Sequence, residues 1–80
     1  MDDQTLLHQI NELAREEHEL FQKEADAAAT DAEKQRLKSL QITLDQCWDL
    51  LRQRRARRTA GQDPDLAETR DANTVEGYTG

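Results

Sequence analysis

Two carboxylate–histidine pairs are the first candidates for chemistry in this sequence of 80 residues. Glu17 and His18 are adjacent and suggest either metal ligands or an acid/base group. His8 and Glu12 have the i, i+4 spacing that places two ligands on one helical turn. Two ligands make a weak metal site, and the Glu-x-x-His sets of a di-iron bundle are absent. We therefore expect no metal, no cofactor and no enzymatic activity.

Cys47 is the only cysteine in the chain, so it forms no disulfide within it. Its neighbours on a helix are apolar, and a thiol in such a place is usually a small inert core residue rather than a nucleophile. Trp48 is likewise interpreted as a residue that packs in a helix contact rather than one that binds a ligand. The sequence also lacks a Gly-rich phosphate loop and a Cys-x-x-Cys pair.

An arginine-rich run is the one feature that could attract nucleic acid, an acidic protein or anionic lipid. Its five arginines are Arg52, Arg54, Arg55, Arg57 and Arg58. On a helix they point around the whole circumference, and the net charge of −6 opposes binding to phosphates. We favour a solvated helix end that stabilises the helix dipole, with nucleic-acid binding as the alternative.

The elements that position these residues begin with an amphipathic helix over about residues 3–28. Three- and four-residue steps place Leu6, Leu7, Ile10, Leu13, Ala14, Leu20 and Phe21 on one face. Asp2 and Asp3 favour its start. Glu17 lies inside the apolar arc, where a lone carboxylate is unfavourable. We interpret it as one half of a pair with Lys38, Gln41 or a symmetry mate that fixes register.

A second helix is predicted over about residues 31–59. A heptad seam, typical of coiled coils, comprises Leu37, Leu40, Leu44, Cys47 and Leu51. Thr30 and Glu33 have the spacing of a capping box, while Gly61 and Pro64 are stop signals. Residues 60–80 are polar and acidic, and we expect a flexible, largely disordered tail there.

Opposite charges on the two helices favour an antiparallel pair. Residues 1–28 have a net charge of −6 and residues 29–58 have a net charge of +4. The predicted fold is therefore an all-α, antiparallel two-helix hairpin with coiled-coil-like packing, formed by residues 1–59. Asp2 and Asp3 would then lie beside the arginine-rich run.

A single hairpin buries little apolar surface, so we expect two of them to form a homodimeric four-helix bundle. The residues predicted to pack or to form the interface are Ile10, Leu13, Phe21, Leu37, Leu40, Leu44, Cys47, Trp48 and Leu51. Another helical protein could replace the second copy. The predicted function is thus a protein–protein interaction or structural module, and the alternative is a nucleic-acid-associated regulator. With no signal peptide or membrane span in the sequence, we expect a cytoplasmic protein that does not bind membranes.

The chain also resembles a known family, through the Cys-Trp-Asp-Leu-Leu-Arg stretch of residues 47–52 and the arginines after it. Glu16–Leu20 upstream and Val75–Tyr78 downstream extend the likeness over nearly the whole chain. The sequence is similar to a small, mainly actinobacterial family of unknown function, domain-of-unknown-function family twenty-six thirty. The resemblance implies a short, helical, cytoplasmic protein and assigns no catalytic or binding residue. The end of the sequence, around Tyr78, suggests a short docking motif.

Overall fold

The first helix, α1, begins at a carboxylate and comprises Asp3–Ala25. Asp2 is its N-cap, and its Oδ1 atom accepts a hydrogen bond from the Thr5 backbone N–H at 2.7 Å. This bond satisfies one of the N–H groups that a helix leaves free at its start. It also lowers the pKa of the Asp2 carboxyl group below its ordinary value. The computed structural model describes residues 2–71 of the chain.

α1 ends three residues before the end predicted near residue 28, because the chain turns in a left-handed step at Ala27. The φ angle of Ala27 is 56°. The Ala28 N–H donates to the Lys23 carbonyl at 2.8 Å and the Ala27 N–H donates to the Glu24 carbonyl at 3.0 Å. These two bonds form a Schellman motif, which ends the helix although alanine favours its continuation.

The second helix, α2, comprises Asp31–Thr59 and opens with the predicted capping box. The Glu33 N–H donates to Thr30 Oγ1 at 3.1 Å, and the Thr30 N–H donates to Glu33 Oε1 at 3.1 Å. α2 ends in a second Schellman motif, with Gly61 at a φ angle of 75°. The Gln62 N–H donates to the Arg57 carbonyl at 2.7 Å.

α1 and α2 pack antiparallel, and the predicted all-α hairpin is confirmed; the described residues contain no strand. The buried leucine and isoleucine side chains lie in two clusters along the contact. One cluster comprises Leu6, Ile10, Leu44 and Leu51, and the other comprises Leu20, Leu37 and Leu40. Leu13 packs against both clusters and connects them.

Residues 62–71, which we call the C-terminal arm, belong to the predicted flexible tail of residues 60–80, and their structure does not confirm that prediction. The arm contains a short 3₁₀ helix, Pro64–Leu66, and it folds back along α2. Polar side chains of α2 hold its backbone: Gln53 Nε2 donates to the Glu68 carbonyl at 2.8 Å, and Gln46 Nε2 donates to the Arg70 carbonyl at 3.2 Å. The predicted docking motif around Tyr78 lies outside the described residues.

Neither long helix within residues 2–71 combines the length and the apolar character that a transmembrane span requires.

Candidate functional site

The helix contact follows a heptad on both helices, and polar residues occupy three of its positions. On α1 the positions are Asp3, Leu6, Ile10, Leu13, Glu17 and Leu20; on α2 they are Leu37, Leu40, Leu44, Cys47, Leu51 and Arg54. Continuing the leucine seam of α2 by three residues from Leu51 identifies Arg54 as a seam residue. Sequence reasoning grouped Arg54 with the solvated arginines and missed this signal.

Arg54 is only 5% exposed, and its guanidinium group joins three parts of the chain. Its Nε atom donates to Asp3 Oδ1 at 2.7 Å, at the start of α1. Its Nη1 atom donates to Asp65 Oδ1 at 2.9 Å and to the Pro64 carbonyl at 3.2 Å, both in the arm. Asp3 also accepts from Arg58 Nη2 at 2.9 Å, and the bond from Arg54 lowers the pKa of the Asp3 carboxyl group.

The remaining arginines of the run are dispersed and do not form one cationic groove. Arg58 is paired with Asp3, and Arg57 lines a surface cavity together with Arg70. Arg52 and Arg55 are exposed, and neither forms an ion pair with another described residue. Among the five arginines predicted as a polyanion site, the exposed Arg52 and Arg55 and the partly buried Arg57 therefore have no ion pair with another residue of the range 2–71.

One flank of the hairpin is covered by the arm. Its cavity is lined by Leu6, Gln9, Thr43, Gln46, Cys47, Leu50 and Thr69. Cys47 is half-buried there, and burial raises the pKa of its thiol. Asp49 is 3% exposed and accepts from Gln53 Nε2 at 2.9 Å, while Arg70 lies 3.5 Å from the same carboxylate. This flank is occupied by the chain itself.

The opposite flank is uncovered, and we call it the open face. It comprises a groove lined by Glu17, Lys38, Gln41, Ile42, Leu44, Asp45 and Trp48, together with Leu7, Ala14 and Phe21 beside it on α1. Phe21 lies one turn after Glu17 and therefore on the same side of α1. Trp48 is 42% exposed and Phe21 is 45% exposed. Two of the chain's three aromatic side chains thus remain in contact with solvent on one face.

Glu17 is half-buried in the groove of the open face, at a seam position between Leu13 and Leu20. Lys38 and Gln41 line the same groove, yet the Glu17 carboxylate forms no ion pair or hydrogen bond with any residue of the described chain. The pairing with Lys38 or Gln41 that the sequence suggested is therefore not formed within one hairpin.

The predicted packing residues divide between the core and the open face. Six are buried between the helices, namely Ile10, Leu37, Leu40, Leu44, Leu51 and, in part, Leu13. Cys47 is half-buried on the covered flank, whereas Phe21 and Trp48 lie on the open face. The structure thus separates residues that hold the hairpin together from residues that another chain could contact.

No group of three or more metal-ligating side chains occurs among the residues that the structure describes. His8 and His18 are both exposed, and neither carboxylate–histidine pair gains a third ligand.

Comparison with known proteins gives the family. Residues 2–80 match the family described as "Protein of unknown function (DUF2630)". The chain belongs to this family. Uncharacterised proteins of Mycobacterium bovis and of two Mycobacterium tuberculosis strains are each 50% identical to it, over 99% of this chain and 91% of the relative. No solved structure matches the chain.

Neither the description of the DUF2630 family nor those of the mycobacterial relatives names an enzymatic activity. The likeness covers both helices, the arm and the residues beyond it. It assigns no role to any residue of the chain.

Proposed function

We propose that this DUF2630 protein is a protein–protein interaction module that binds a helical partner through its open face. The observation that carries the proposal is the position of Phe21 and Trp48, both exposed on the flank that the arm leaves uncovered. Exposed aromatic side chains are enriched at the buried centres of protein interfaces. Leu66, the other large exposed apolar residue of the described chain, lies on the arm and does not line the groove of the open face.

The kind of partner that fits the groove of the open face best is an amphipathic helix or a helical hairpin. The open face is a shallow groove between two helices with apolar side chains at seven-residue steps on α1, namely Leu7, Ala14 and Phe21. Such grooves accept the apolar stripe of another helix, as in a four-helix bundle. The half-buried Glu17 offers that partner a carboxylate that has no counterion within the hairpin.

Site-specific cross-linking tests the proposal without knowledge of the partner. A photo-crosslinking amino acid replaces Trp48 in one chain and Leu66 in a matched control, and both full-length chains are expressed in the cells that normally make the protein. We expect protein adducts from position 48 and few from position 66. Equal adducts from both positions, or none from position 48, would contradict an interface on the open face.

The alternative function, a nucleic-acid-associated regulator, has less support from the arginines. Arg54 is buried in ion pairs and Arg58 is paired with Asp3, which leaves Arg52, Arg55 and the partly buried Arg57 as the arginines of the run without an ion pair in the described chain. Nucleic-acid adducts from position 48, or a gel shift with random DNA or RNA that weakens with salt, would favour the regulator instead.

A further inference from the structure

The charged residues beside the groove of the open face follow a regular pattern along α2. Asp31, Lys38, Asp45 and Arg52 succeed one another at steps of seven residues, so they lie in one stripe along the helix. Lys38 and Asp45 line the groove together with Trp48. The signs alternate as negative, positive, negative and positive. None of the four forms an ion pair with another residue of the described chain.

The charge pattern of this stripe is complementary to that of the same stripe running in the opposite direction. If a second α2 lies alongside in the opposite direction, with the midpoint between Lys38 and Asp45 in common, Asp31 faces Arg52 and Lys38 faces Asp45. Two copies then form four pairs of opposite sign. In a parallel pairing of the two α2 helices each residue would instead meet its own copy, and like charges repel.

The exposed aromatic residues Trp48 and Phe21 lie symmetrically about nearly the same level of the hairpin as the midpoint of the charged stripe. Arg54 is paired with Asp3, so Trp48, six residues before Arg54, lies level with Gln9 on α1. Phe21 is twelve residues beyond Gln9, which is about 18 Å along the helix axis. The level midway between the two aromatics is that of Arg15. The midpoint of the charged stripe, residues 41–42, lies at nearly the same level.

The shared centre is also the middle of α1, which runs from Asp3 to Ala25. A two-fold axis at this level therefore places two hairpins side by side over the whole length of α1. It brings Phe21 of each copy level with Trp48 of the other. It also sets the arginine-rich end of each hairpin beside the turn of the other, where Glu24 and Asp26 are exposed, so the two arginine-rich ends stay apart.

We propose that the partner bound by the open face is a second copy of this chain, related by a two-fold axis that reverses the direction of the helices, with ion pairs between Asp31 and Arg52 and between Lys38 and Asp45 of the two copies. This inference rests on the proposed function of the open face. The product is a four-helix bundle in which each copy supplies the partner that the other lacks.

Charge exchange tests both the partner and its direction. The purified full-length protein is studied by sedimentation equilibrium over a micromolar concentration series, with Lys38→Asp, Asp45→Lys and the double variant Lys38→Asp/Asp45→Lys. We expect a wild-type dimer, association weakened about tenfold in each single variant because two repulsive pairs form, and recovery in the double variant. A mixture of the two single variants should form a mixed dimer, because all their cross-pairs then have opposite sign.

Circular dichroism of each variant separates a loss of association from a loss of helix, and Leu66→Ser serves as a control that remains dimeric. A helical wild-type monomer throughout the series would overturn the second-copy inference, while adducts to a different protein from position 48 would leave the proposed function standing. A dimer whose association is unaffected by the single exchanges, or is not restored in the double variant, would overturn the reversed arrangement.

Discussion

Arg54 is the residue at which the two helices and the arm meet. Its seam position would ordinarily carry a leucine, and its burial is tolerated because the guanidinium group has five donors in a fixed planar arrangement. Asp3, Asp65 and the Pro64 carbonyl accept from it at 2.7–3.2 Å. Arg54 therefore connects α1, α2 and the arm by hydrogen bonds at the end of the hairpin opposite the turn, beyond the last buried apolar side chains.

Replacement of Arg54 should destabilise the protein much more than replacement of its exposed neighbour Arg52. Arg54→Ala removes one of the two partners of Asp3, the other being Arg58, and releases Asp65 and the Pro64 carbonyl. Arg52→Ala removes a side chain without an ion pair in the described chain. We expect a clearly lower thermal midpoint for Arg54→Ala and a nearly unchanged one for Arg52→Ala. Thermal unfolding followed by circular dichroism, at low protein concentration and at several salt concentrations, measures the difference. Equal midpoints would contradict the structural role of Arg54.

Both helices end in the same motif, but only one of them uses the residue suited to it. Gly61 and Ala27 occupy equivalent left-handed positions, with φ angles of 75° and 56°. An L side chain in this conformation costs about 1 kcal/mol, which glycine avoids. The turn between the helices therefore carries backbone strain that the end of α2 does not.

Exchanging these two residue types should change stability in opposite directions. We expect Ala27→Gly to raise the free energy of unfolding by about 0.5 kcal/mol, since the strain relieved exceeds the entropy that glycine adds to the unfolded chain. Gly61→Ala should lower it by about 1 kcal/mol, and because a Cβ atom there meets nothing within 4 Å, the effect reports the backbone alone. Urea denaturation measures both changes. A stabilising Gly61→Ala substitution would contradict this account.

The helices could be predicted from the sequence because their signals are local. The heptad of α2, the capping box of Thr30 and Glu33, and the stop at Gly61 each depend on residues a few positions apart. The C-terminal arm has no such signal, because its backbone is held by amide side chains 15 and 24 residues away, on Gln53 and Gln46. Phe21 and Trp48 could be named from the sequence as packing or interface residues, but which flank of the hairpin remains uncovered could not, because the arm decides it.

α1 and α2 have opposite net charges, and ion pairs connect them across the helix contact. α1 contains six acidic and two basic residues and α2 contains four acidic and eight basic residues, giving net charges of −4 and +4. On one flank Arg36 donates two hydrogen bonds to Glu16, at 2.9 and 3.0 Å, and Lys23 pairs with Glu33. These bonds lower the pKa of Glu16 and of Glu33.

Acid should therefore destabilise the hairpin. The folded-state pKa values of Asp3, Glu16 and Glu33 lie below their ordinary values of 3.8 and 4.5, so the unfolded chain takes up protons first as the pH falls. The stabilisation is fully present above these ordinary values and is lost as the pH falls through the lower folded-state values. Urea midpoints should fall between about pH 5 and about pH 3, and less so in Glu16→Gln. A midpoint independent of pH in this window would contradict the ion-pair account.

The arm shields Cys47, and its removal should be visible in the chemistry of that thiol. Thr69 lines the cavity in which Cys47 is half-buried. A chain that ends at Gly61 should react with a thiol reagent about threefold faster or more, whereas Leu66→Ser in the full-length chain should react at the original rate. Rates followed at constant pH, with helicity checked by circular dichroism, make the comparison. Equal rates for the shortened and full-length chains would show that the arm does not cover Cys47.

The division of the buried side chains into two clusters gives the two ends of the hairpin unequal resistance to local opening. At the arginine-rich end, Leu6 and Leu51 are 1% exposed, and each lies three residues from a member of the Arg54–Asp3 ion pair. At the turn, Leu20 and Leu37 are 9% and 5% exposed, beyond the half-buried Glu17. In hydrogen exchange, the backbone amides around Leu37, near the turn, should therefore exchange through partial opening of the hairpin. The backbone amides around Leu51 should exchange only when the whole hairpin unfolds.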